Sequence, residues 1–99
     1  MKKNSSESVF SKDEITSYEK KIKSLESLIN KSEQLLTALN VFADQVRYEQ
    51  KTQQLSPKMA TKLLRRNDKD IKQVRSRIDS TQDKLTQYQI KLADLKKLA

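Results

Sequence analysis

An all-α fold, two long heptad-patterned helices closed into an antiparallel coiled-coil hairpin, follows from three features of this chain. They are one unbroken heptad phase, a composition with no glycine, and a single proline placed where a helix starts. Heptads run from Ile15 to Ala99 and are interrupted only around Ser56 and Pro57. The first run of seam residues is Ile15, Tyr18, Ile22, Leu25, Ile29, Ser32, Leu36, Leu39, Ala43 and Val46. The second is Leu64, Asn67, Ile71, Val74, Ile78, Thr81, Leu85, Tyr88, Leu92, Leu95 and Ala99. Steps of three and four sustained this long keep one narrow apolar stripe facing a partner helix.

The first helix carries its own start signal. Ser11 is placed as N-cap, Glu14 as its capping-box partner and Phe10 to staple onto Ile15, so helix 1 is expected over about 12–53 after a flexible polar tail at 1–10. The seam weakens after Val46, because its next positions are Gln50 and Gln53. The turn is expected at about 54–56. Helix 2 follows over about 57–98, with Ser56 as N-cap and Pro57 at the first helical position, where a missing N–H costs nothing. The absence of glycine argues against tight hairpins, phosphate-cradling loops and Schellman helix ends. One long kinked helix in a parallel oligomer would also preserve the phase. It is disfavoured because an interior proline costs about 3 kcal/mol. Folding about residue 55 sets Leu39 level with Ile71, Tyr18 with Leu92, and the like-charged Lys21 and Lys91 side by side.

A chain of 99 residues with 34% apolar and 34% charged side chains has too little apolar material for a thick core. Cysteine and histidine are both absent, which removes thiolate chemistry, imidazole ligands and the commonest general base. The closest carboxylate pairs, Asp13 with Glu14 and Asp79 with Asp83, fall at a helix start and on an exposed helix face. The expectation is a non-enzyme with no cofactor and no metal. The residues after Met1 lack the apolar stretch of a signal peptide, and no segment approaches membrane-spanning length. An intracellular, cytoplasmic protein is expected.

Two surfaces remain once the seam is used. Leu28, Leu35 and Phe42, flanked by Val41, form a second apolar row on helix 1, while helix 2 presents Asp70, Arg77, Lys84 and Lys91 at the equivalent places. The aliphatic stems of Arg77 and Lys84 are one way to cover that row; a further helix is the other, making the hairpin part of a larger bundle. Residues 54–99 hold twelve basic and five acidic side chains. The densest basic patch is Lys58, Lys62, Arg65, Lys69 and Lys72, with Arg66 beside it, on the face opposite the seam. The leading functional expectation is a structural or adaptor subunit that assembles with itself or with other helical proteins through Leu28, Leu35, Val41 and Phe42. The alternative is a small basic module that uses the helix 2 stripe on nucleic acid or another anionic surface.

Overall fold

The computed structural model describes the backbone of residues 2–98 and the side chains of residues 12–98. Two helices, α1 (Lys2–Lys51) and α2 (Pro57–Leu98), pack against each other as a hairpin. The packed helices divide into two units, Met1–Ile29 with Ser80–Ala99, here the terminal unit, and Asn30–Asp79, the turn unit.

Burial follows the heptad in both. In the terminal unit Ile15, Tyr18, Ile22, Leu25 and Ile29 of α1 and Thr81, Leu85, Tyr88, Leu92 and Leu95 of α2 are buried or half-buried. In the turn unit the same holds for Ser32, Leu36, Leu39, Ala43 and Val46 and for Leu64, Asn67, Ile71, Val74 and Ile78. Ala99, the last seam residue expected, lies outside the described residues. The physical reason for the agreement is that a stripe this narrow can be removed from water only by one facing helix.

The ends of α1 depart from expectation. The helix starts at Lys2 and not at Lys12 after a tail. An N-cap favours a helix start without forbidding continuation, and the first ten residues contain no Gly or Pro to stop a helix already nucleated. The side chains of Phe10 and Ser11, expected to staple and cap, lie outside the described ones. At the other end α1 stops at Lys51, two residues before the expected Gln53.

The reversal is a Schellman motif made without glycine. Gln53 adopts a left-handed backbone with φ 65°. The Gln54 N–H donates to the Glu49 carbonyl at 2.8 Å and the Gln53 N–H to the Gln50 carbonyl at 3.1 Å. These are the two bonds that define the motif. The Thr52 hydroxyl adds bonds to the Tyr48 and Glu49 carbonyls at 3.0 and 3.3 Å, both of which already accept from backbone N–H groups. The chain thus pays for an L-residue in the left-handed region, about 1–2 kcal/mol, because the bonds need that geometry whichever residue supplies it. Gln53→Gly should raise stability by about 0.5–1 kcal/mol in chemical denaturation, and an unchanged or lowered midpoint would contradict the strained turn.

After the turn, expectation holds. The Met59 N–H donates to Ser56 Oγ at 3.2 Å and the Ala60 N–H to the Ser56 carbonyl at 2.9 Å, with Pro57 as first helical residue. Two cross-helix pairs lie one helical turn from those expected, which corresponds to a fold about residue 53 and not 55. In the turn unit the Leu39 carbonyl meets Asn67, four residues from the expected Ile71: Asn67 Nδ2 donates to it at 3.0 Å. Asn67 is only 4% exposed, so this bond satisfies a polar group that would be costly to bury alone. In the terminal unit Tyr18 meets Tyr88 edge-on, ring centroids 5.5 Å apart, one turn from the expected Leu92.

Candidate functional site

Leu28, Leu35 and Phe42 recur every seven residues beside the α1 seam and stay 43%, 45% and 42% exposed. Val41 is 59% exposed. Leu28 belongs to the terminal unit and the other three to the turn unit. Among the described residues the turn unit also exposes Tyr48 and Met59, and the terminal unit Ile90 and Leu98.

The row flanks the seam without joining it, because at about 100° per residue its side chains leave the helix roughly 40° from the seam residue four places on and roughly 60° from the one three places before. α2 does offer one apolar partner that the sequence pattern did not single out. Leu63, half-buried, lines a groove with Phe42, Leu39, Arg66, Asn67 and Asp70. The signal was available one heptad before Asp70, in the same row as Asp70, Arg77, Lys84 and Lys91. Only the facing of the helices shows that this row lies across from Phe42.

The six residues of the expected basic patch separate into two groups. Lys58, Lys62, Arg65, Arg66 and Lys69 line one shallow groove with Pro57 and Thr61. Lys72, expected with them, instead pairs with Asp68 Oδ2 at 3.3 Å, four residues earlier on the same helix. That pair is exposed and contributes less than about 1 kcal/mol. Arg66 lines both the basic groove and the apolar one.

In the terminal unit Lys21 has a use that charge counting alone hides. Its Nζ lies 5.2 Å from the Tyr18 ring centroid and 5.8 Å from that of Tyr88. Both are within cation–π range, and Lys84 lines the same groove as Lys21 and Tyr88.

Among the described residues no group of three or more Asp, Glu, His or Cys could hold a metal ion, and no helix is long and apolar enough to cross a membrane. Asp13, Glu14, Asp79 and Asp83 are all exposed. No protein-family model, curated protein or solved structure matches this chain.

Proposed function

We propose that this chain is a non-enzymatic structural or adaptor subunit of the cytoplasm, a helical hairpin that completes a larger bundle with itself or with other helical proteins. One observation carries the reading. The hairpin buries its seam internally and leaves Leu35, Val41 and Phe42 on the turn unit, with Leu28 on the terminal unit, 42–59% exposed. Side chains of that size at heptad spacing are what a further helix packs against. Replacing Leu35 and Phe42 together with Glu is expected to dissociate the assembly while leaving most of the helicity, since each large side chain buried in an interface contributes about 1.5–3 kcal/mol. Sedimentation and co-purification of the double variant test this. Retention of the wild-type mass and partners would reduce the row to tolerated surface.

A second reading rests on the cationic groove of α2, in which Lys58, Lys62, Arg65, Arg66 and Lys69 stand side by side. It makes the chain a small basic module for nucleic acid or another polyanion. Changing Lys58, Lys62 and Arg65 to Gln should then weaken binding to every nucleic-acid sequence alike. The slope of log affinity against log salt should become shallower by roughly 0.7–0.9 for each phosphate no longer neutralised. Wild-type protein that retains neither DNA nor RNA nor anionic vesicles at low salt would dismiss this reading.

A further inference from the structure

We infer that the turn unit receives an acidic helix from another protein, its apolar seam against Phe42 and Leu63 and its charged flank against the α2 cations. The inference rests on the adaptor reading and adds the chemistry of the partner.

The groove holding Phe42 and Leu63 runs between the two helices, and Leu35 stands one heptad before Phe42 on the same row. Seven residues of α-helix advance about 10.5 Å, so a partner with its own heptad seam meets this row repeatedly and in step. Arg66 belongs at once to this groove and to the one holding Lys58, Lys62, Arg65 and Lys69. A helix lying on the apolar groove therefore brings its α2-side flank over Arg66, with Lys62 one turn before it on the same side of α2. The apolar groove itself holds one cation and one acid, Arg66 and Asp70, and the four further basic side chains of the adjoining groove give this part of α2 its positive excess. Asp or Glu on the partner's flank would be attracted, and Lys or Arg repelled.

A second copy of this chain is a poorer occupant. A twofold contact joins two chains that each carry a net charge of +8, which repel as they approach. A flat anionic membrane would press against half-buried Asp70, and a nucleic acid on the cations would leave Phe42 in water.

The test uses the full chain and three labelled synthetic helices in fluorescence anisotropy. One has Leu at its seam and Glu on both flanks, one has Leu with Lys flanks, and one has Glu flanks with Ser at its seam. The Leu–Glu helix should bind at least about tenfold more tightly than either other. Phe42→Ala should weaken it at least about tenfold, and Lys62→Gln with Arg66→Gln should weaken it and reduce its salt dependence. Circular dichroism verifies that each variant keeps the wild-type helicity, and Leu35→Ala serves as the second apolar probe if Phe42→Ala does not fold.

Equal binding of the Lys-flanked helix would overturn the acidic partner while leaving the adaptor reading in place. Equal binding of the Ser-seam helix, or tighter binding of DNA or phosphatidylserine vesicles that ignores Phe42→Ala, would assign the surface to polyanions. A wild-type dimer abolished by Phe42→Ala would assign it to a second copy. Binding of none of the three helices would overturn the proposal outright.

Discussion

Val46→Asp should unfold the hairpin or come close to doing so, with a loss on the order of 3–5 kcal/mol at neutral pH. Val46 is 2% exposed, in the turn unit, on the seam. A carboxylate there leaves water without a compensating cation in the seam, and a domain of this size has only several kcal/mol to lose. The pH dependence follows from the sign of the perturbation. Burial raises the carboxyl's folded-state pKa above its unfolded value of about 3.9, so the folded chain binds the proton more tightly. The penalty is therefore full at neutral pH, and part of it is recovered as pH falls through the raised folded value toward about 3.9. Val46→Asn, which cannot titrate, should lose stability without that recovery. Urea titrations of both variants across this pH range decide the matter. A Val46→Asp protein within about 1 kcal/mol of wild type at neutral pH would mean that the seam is open to water at this level.

Ala60→Leu should be the second most damaging change, and its direction separates two architectures. Ala60 is 0% exposed, and Ala43 is also buried in the same unit. Near a turn made of five residues, Thr52 to Ser56, small seam side chains let the two helices begin close together. Inserting the larger Leu side chain forces strain or separation, about 1–3 kcal/mol. In an extended coiled coil with the same phase, Leu at this seam position would instead strengthen the zipper. A lowered melting temperature supports the hairpin packing, whereas a raised one, with an increase in oligomer mass, would favour the extended alternative.

The architecture was legible because it depends on short-range physics repeated many times. Every seam residue with a described side chain from Ile15 to Val46 and from Leu64 to Leu95 is buried or half-buried, as a 3.5-residue period requires. Ser56 and Pro57 announced the start of α2 because a cap involves only the residues beside it. The exposed row Leu28, Leu35, Val41 and Phe42 could also be read, by subtracting the seam from the apolar positions.

What sequence alone left undecided were quantities that depend on two distant segments at once. The absence of glycine suggested no Schellman end, yet Gln53 makes one, because packing of the two helices outweighs a backbone cost of about 1–2 kcal/mol. The observed register brings Asn67 to Leu39 and Tyr88 to Tyr18, one helical turn from the expected pairs. Leu63 and Lys21 likewise showed no role in isolation. Leu63 joins Phe42 across a groove, and Lys21 stands over two tyrosine rings, one from each helix. Heptad phase determines which side of a helix is apolar. The register at which two such sides meet depends on the turn geometry and on the pairing of a few buried polar and aromatic groups, and these exist only once the chain has folded back on itself.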